Sequence, residues 1–263
     1  MVDMESLKLP RFLLRDFKAK LPSDLAKRFR ALNESPYSTR SFSFYASVSA
    51  IASSKIEGEP LEVDSFVKHR MLKTKYLPEL VRKPDDLYAA YLLAQSHPLT
   101  PKRFLQAHRK ITAHLLPVAA QGVLRKTEMV VMQHGAQRIQ YEAAPAGVVP
   151  ELYASMWGDI RELQKANLGI KQAFFYASLI HLVFVNIHPF EDGNGRAARL
   201  LEKWFLSEKL GEKAWFLQSD LHYYHNADRY YKNLNRLGMF FEELNYGKAL
   251  PFLSMLPQSL KTK

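Results

Sequence analysis

The stretch His188-Pro189-Phe190-Glu191-Asp192-Gly193-Asn194-Gly195-Arg196-Ala197-Ala198-Arg199 holds a titratable base, a carboxylate, a glycine-flanked turn and two arginines in twelve residues. Gly193 and Gly195 bracket Asn194, and a helical pattern begins at once with Leu200, Leu201, Trp204 and Phe205. Glycine at a helix start lets the backbone bend and approach a ligand without a Cβ in the way. The first N–H groups of a helix have no internal partner, and the helix dipole is positive there. Together these features make an anion cradle, most often for phosphate. Arg196 and Arg199 fall on neighbouring positions of one helix face, and guanidinium forks match phosphate oxygens bidentately. Asp192 supplies a hard oxygen that suits a Mg²⁺ bridging phosphates. His188 lies four residues earlier, and an imidazole with an ordinary pKa of about 6.5 can take a proton at neutral pH. Phe190 reads as a plug that fixes the loop in the core. Each part alone fits a plain loop-to-helix turn; the combination points to phosphate chemistry.

Working outward, the segment before the loop, Ala173 to Ile187, is the most apolar of the chain. Tyr176, Ser178, His181 and Asn186 interrupt it, so it reads as a central buried helix, too short and too polar for a membrane span. A helix over about 150–166 carries Leu152, Met156, Ile160 and Leu163 on one face. Thr100-Pro101 is a cap followed by a first-turn proline, opening a helix to about Leu116 that stops before Pro117. Between those two helices, Met129–Met132 and Arg138–Tyr141 flank a turn containing Gly135 and predict a β-hairpin. From Leu21 to about His97, amphipathic stretches are separated at Pro36, Gly58 to Pro60, and Pro84. Beyond Asp220 the chain is again helical and rich in tyrosine. The expected fold class is mostly α, a helical bundle with one small β-hairpin.

Composition is consistent with this. At 263 residues, 47% hydrophobic and 24% charged, the chain has the make-up of a soluble globular protein. It has no cysteine, which excludes disulfides and thiolate metal sites and fits a reducing compartment. No apolar stretch follows the first basic residues, so a signal peptide is not expected, and a cytoplasmic location is. The formal charge of +11 favours acidic partners. The basic residues are scattered and have acids close by, as in Arg82-Lys83-Pro84-Asp85-Asp86. They read as a solvated surface; neither nucleic acid nor a membrane is an expected partner.

The opening stretch resembles the signature of the Fic family, His-x-Phe-x-(Asp/Glu)-Gly-Asn-Gly-Arg-x-x-Arg, and every fixed position matches. The likeness extends more diffusely from about Phe42 to Phe252. It implies a Fic-type bundle with the hairpin as a flap, a Fic core over residues 99–263, and an N-terminal helical region over 1–98. A second segment, Ser53-Ser54-Lys55-Ile56-Glu57-Gly58, resembles the (Ser/Thr)-x-x-x-Glu-(Gly/Asn) inhibitory motif of some Fic proteins, carried by a helix over about 41–58. On the residues alone, Gly58 suits the left-handed position after a helix end, which leaves Glu57 at the helix C-terminus. The dipole disfavours a carboxylate there, which suggests a cationic partner elsewhere; on the residues alone a solvated Glu57 at a small cost also fits. The resemblance names that partner as Arg199. Ser53, Glu57 and Gly58 are the implied inhibitory residues.

The resemblance implies a protein adenylyltransferase. Gly193, Asn194, Gly195, Arg196 and Arg199 would hold the phosphates of ATP, with Mg²⁺ as cofactor on Asp192. His188 would remove the proton from a Ser, Thr or Tyr hydroxyl of a protein, whose oxygen attacks the α-phosphorus as pyrophosphate leaves. Tyr230 and Tyr231, in a Tyr-Tyr-x-x-Leu run ending at Leu234, resemble the segment lining the adenine pocket. The residues alone fit core packing equally well. A later Asn of many relatives falls at Gly238, which leaves base selectivity open, and Asn235 nearby faces elsewhere. The hairpin, preceded by Arg125, resembles a flap that docks an extended target through free backbone groups, with Val131, Met132, Gln133 and His134 nearest the site. Implied partners are ATP and a protein target, the chain itself among the candidates, and a homodimer is allowed. In some relatives the inhibitory Glu also orders a water that removes AMP. Two other readings stay open: a transferase with another phosphate-containing donor, and a non-catalytic basic helical binding module.

Overall fold

The computed structural model describes residues 8–32, 42–132 and 139–261. Helices α1 (Leu14–Lys20), α2 (Leu25–Arg30), α3 (Phe42–Ile56), α4 (Val63–Leu72), α5 (Pro78–Ser96) and α6 (Pro101–Ile111) precede the hairpin, β1 (Val130–Met132) and β2 (Ile139–Glu142). Then come α7 (Val149–Lys165), α8 (Ile170–Ile187), α9 (Asn194–Leu210), α10 (Ser219–His225), α11 (Ala227–Asn235), α12 (Leu250–Leu253) and α13 (Met255–Gln258). The fold is mostly helical, with one two-stranded antiparallel sheet among the described residues.

Helix punctuation explains several ends. Thr100 caps α6 by accepting from the Arg103 N–H at 3.2 Å, with Pro101 in the first turn. The helix stops at Ile111, earlier than Leu116, where Thr112 leaves helical geometry and its hydroxyl bonds back to the His108 carbonyl at 2.8 Å. Pro84 does not separate two helices as its presence suggested; it is buried inside α5. An interior proline costs about 3 kcal/mol. Burial of Val81, Leu87, Tyr88 and Tyr91 on the same helix offsets it.

Helix α8 is the core. It starts at Ile170, and by length and composition alone it is long and apolar enough to cross a membrane, contrary to the sequence expectation. Most of it is buried among the other helices, with α9 packed most extensively against it. Polar groups inside are paired: the fully buried His181 meets Glu202 at 2.9 Å through Nδ1 and the Tyr230 hydroxyl at 2.9 Å through Nε2.

Helix α3 is buried from Ala46 to Ser54, where its side chains are small or β-branched: Ala-Ser-Val-Ser-Ala-Ile-Ala-Ser-Ser. Small side chains let α4, α5, α9 and α10 approach it closely. Hydrophobic residues from Leu9 to Leu256 join one core cluster, so the N-terminal helices share it with the helices around the signature.

The hairpin pairs Val130 with Glu142, Val131 with Tyr141, and Met132 with Ile139, with an irregularity between Val131 and Met132. Its base is stitched to the bundle: the Ala144 N–H donates to the Asn186 carbonyl at 3.2 Å, and the Glu142 N–H to the Met239 carbonyl at 2.7 Å. Gln133 and His134 lie outside the described residues.

Candidate active site

The chain leaves α8 by a left-handed turn at His188 (φ 51°), whose N–H still bonds to the Phe184 carbonyl at 2.9 Å. Arg125 locks this turn. Its Nε donates to the His188 carbonyl at 2.6 Å and Nη2 to the Ile187 carbonyl at 3.2 Å. The same guanidinium bonds the carbonyls of Thr127 and Ala144 at the foot of the hairpin. One buried cation thereby ties the flap to the backbone of the base.

The loop that follows is wrapped around Phe190, which is fully buried and stacked on His108 with ring centroids 3.6 Å apart. Asn194 closes the loop from below. Its Oδ1 accepts from the Phe190 N–H at 3.0 Å, and its Nδ2 donates to the Phe190 carbonyl at 2.7 Å. The Asn194 side chain is therefore spent on the loop, and only its backbone N–H can face an anion. Gly193 has φ +78°, and a Cβ there would sit 2.8 Å from Thr112 Cγ2. Helix α9 starts at Asn194 with its N–H groups open.

Beside Gly195, in the first turn of α9, lies a carboxylate. A Cβ on Gly195 would lie 2.2 Å from Glu57 Oε1, so Glu57 reaches into the space that glycine leaves. Glu57 Oε1 accepts from Arg199 Nη2 at 2.6 Å. Ser53 holds the rest of that guanidinium: its hydroxyl accepts from Nε at 2.7 Å and its carbonyl from Nη2 at 3.0 Å. Gly58 takes the left-handed position, φ +89°, just past the end of α3. Burial pushes the Glu57 carboxyl pKa up, but the charges of Arg199 and Arg196 outweigh it and hold it below the usual value. Arg196 is buried, and its Nε and Nη1 have no hydrogen-bond partner. Buried guanidinium donors left unpaired in the first turn of a helix suit an anionic ligand.

A cavity of about 220 Å³ collects Glu57, Arg199, His188, Gly195, the flap residues Val131 and Met132, and Tyr230 and Tyr231. His188 is half-buried. Burial pushes its pKa down to about 4, with the Val185 carbonyl opposing and the Arg125 charge reinforcing the shift. It is neutral at pH 7 and able to accept a proton. Its Nδ1 lies 3.3 Å from the Val185 carbonyl.

A family model described as Fic/DOC family matches residues 98–206. The chain carries a Fic/DOC domain over that span. Its fold is similar to the crystal structure of a Fic family protein from Desulfovibrio desulfuricans, with a TM-score of 0.77 at 20% identity, covering 95% of this chain and 73% of that one. The protein adenylyltransferase Fic of Nematostella vectensis is 29% identical over 163 residues, 62% of this chain and 32% of that protein. The protein adenylyltransferase Fic of Drosophila erecta is 33% identical over 119 residues, 44% of this chain and 22% of that protein. The chain thus spans about a third or less of the length of these curated relatives.

Several residues that the sequence singled out sit where a pattern alone could not put them. Asp192 is exposed, with one carboxylate oxygen accepting from the Gly193 N–H at 2.5 Å. Tyr230 is buried as a wall of the cavity, bonded behind to His181, whereas Tyr231 is half-buried and donates to the Ile56 carbonyl at 3.3 Å. Gly238 has φ +142°, a conformation that disfavours a side chain there, and Asn235 is exposed. Sequence reading missed His108. It is fully buried, accepts from the Gly122 N–H through Nδ1 at 3.0 Å and donates through Nε2 to the Asp192 carbonyl at 2.9 Å. Its only sequence signal was a histidine on the apolar face of α6, beside Phe104, Ala107 and Ile111.

Proposed function

We propose that this chain transfers AMP from ATP to a hydroxyl group of a protein, and that Glu57 holds the site closed. One observation carries the reading. The Glu57 carboxylate occupies the glycine cradle at the start of α9, bonded to Arg199, in the cavity that also holds His188 and the flap. A carboxylate seated there stands where a phosphate would, and the cavity of about 220 Å³ falls below the ~300 Å³ at which small-molecule sites usually begin. With Glu57 withdrawn, Arg199 faces the space it leaves, and Arg196, near enough for its charge to act on Glu57, has donors without a partner.

The residues then divide the work. The N–H groups at the start of α9 hold phosphate oxygens, and the two arginines neutralise the outer phosphates. His188 takes the target hydroxyl proton on Nε2, and the hydroxyl oxygen attacks the α-phosphorus as pyrophosphate leaves. Positioning and charge neutralisation supply most of the acceleration. Among the described residues no group of three or more His, Asp or Glu could hold a metal alone. A Mg²⁺ bound by one carboxylate and the phosphates of ATP needs no such group, and the exposed Asp192 has an oxygen to offer. When bound, Mg²⁺ would offset phosphate charge. The target presents its hydroxyl along the flap at Val131 and Met132. In this reading an inhibitory N-terminal region precedes a Fic core at about residue 98, where the family match begins.

Incubation of the wild type and Glu57→Gly with Mg²⁺ and ATP, labelled on the α- or on the γ-phosphate, tests it. The α-label alone should enter protein, and far more in Glu57→Gly. Entry of the γ-label would mean phosphate transfer instead, and no label from either would reject the reading.

A further inference from the structure

We infer that Tyr141, carried on flap strand β2, is a positioning residue that sets the proton arrangement of His188. The inference rests on the proposed role of His188 as base.

Tyr141 is buried, and its hydroxyl donates to the Val185 carbonyl at 2.9 Å. With its proton committed there, the phenol oxygen lies 3.3 Å from His188 Nδ1 with a lone pair to offer. The Val185 carbonyl is also 3.3 Å from Nδ1, and a carbonyl can only accept. Nδ1 therefore carries the proton, between two acceptors, and Nε2 carries the lone pair. The Tyr141 ring meets the imidazole edge-on, with centroids 6.2 Å apart, and limits its rotation. A buried tyrosine hydroxyl commonly finds one carbonyl, which accounts for the Val185 bond alone. The second contact, to Nδ1, is what a base-orienting group makes.

Placement gives this arrangement a consequence. Tyr141 pairs across the hairpin with Val131, and both line the cavity. An extended target adding to β1 would therefore lie one strand from the group that orients the base. During transfer the target hydroxyl loses its proton to Nε2, Nδ1 keeps its own, and the imidazolium is met on its far side by two acceptors. The charged and titratable groups that bear on His188 are Arg125, from the loop ahead of the flap, and Glu57, from the end of α3. Arg199, Tyr230 and Tyr231 line the same cavity.

Tyr141→Phe in the Glu57→Gly background keeps the ring and removes the oxygen. The expected result is a kcat about tenfold lower with KM for ATP within about twofold. Loss of the acceptor should also move the acid limb of the kcat profile to lower pH. Nitrogen NMR of ¹⁵N-histidine-labelled protein, without nucleotide, reads the tautomer directly: protonated Nδ1 at His188 with the tyrosine present, and a smaller Nδ1-protonated share without it, where the Val185 carbonyl alone remains to accept. Unchanged kcat and an unchanged tautomer would overturn the inference, as would a fall in kcat that only tracks lost folded protein. Should Tyr141→Phe not fold, the spectrum of the unmutated protein decides, since a proton on His188 Nε2 contradicts the assignment. Should Glu57→Gly transfer nothing, the adenylyltransferase reading fails while the NMR result still judges Tyr141.

Discussion

The Ser53 hydroxyl accepts from Arg199 Nε at 2.7 Å, and this pair is the middle rung of a register that recurs every four residues along α3 and α9. One turn back on α3, Ser49 Oγ accepts from Lys203 Nζ at 2.6 Å. One turn forward, just past the helix end, Glu57 packs into the gap at Gly195. Numbers rise on one helix as they fall on the other, so the two run antiparallel. Four residues bring a helix back to nearly the same face. The reach of Glu57 into the cradle is thus fixed by helix packing, and loosening that packing should release it.

Glu57→Gln keeps the size of the side chain and removes its charge. The amide still fills the gap at Gly195 but no longer neutralises Arg199. AMP incorporation should rise above wild type and stay below Glu57→Gly. Equal incorporation by all three proteins would show that the carboxylate does not block the site.

Ser53→Val leaves Glu57 in place and disturbs the middle rung. Ser53 is fully buried, so the added methyl groups force α3 and α9 apart, at about 1–3 kcal/mol. The melting temperature should fall by several degrees while AMP incorporation rises. A variant that is less stable and no more active would sever the link between helix register and inhibition.

Lys203 is buried and bonded to Asp220 at 2.7 Å, and Asp220 also accepts from the Tyr91 hydroxyl at 3.1 Å. Lys203→Met strands the Asp220 carboxylate in the core and should cost about 3–5 kcal/mol. The double variant Lys203→Met/Asp220→Asn removes both charges and should recover part of that loss. Urea denaturation of the three proteins measures the difference.

Burial pushes the His108 pKa down to about 4, against a smaller upward pull from the Asp192 carbonyl. The folded protein thus keeps His108 neutral, while the unfolded chain protonates it at about 6.5. Its contribution to stability is complete above pH 6.5 and is lost as pH falls towards 4. The loss is about 2 kcal/mol at pH 5 and about 3 kcal/mol at pH 4. Denaturation midpoints of wild type and His108→Gln between pH 7 and pH 5 should show this component only in the wild type.

Much of the site was legible because it is contiguous. A glycine-bracketed turn, a base four residues before the carboxylate and arginines three apart define one loop and one helix turn by local geometry. The misplaced charge of Glu57 was legible too, since Gly58 marks the helix end and a carboxylate there lacks local compensation. Lys203, Asp220, His108 and the proton arrangement at Tyr141 were not. Each is an ordinary residue whose role comes from a partner distant in the chain, and no periodicity encodes that. Pro84 misled because a proline reads as a boundary, while burial of α5 outweighs its local cost.

From the residues alone came a mostly helical bundle and a glycine-bracketed helix start with a neighbouring imidazole, because backbone propensity, capping and dipole direction act within a few residues. Only packing decided what fills the cradle. Glu57 and Arg199 are 142 positions apart, and they meet because a stripe of serines and alanines lets two antiparallel helices close to contact. Side chains that small can pack in many ways, so the pairing is selected by the whole core.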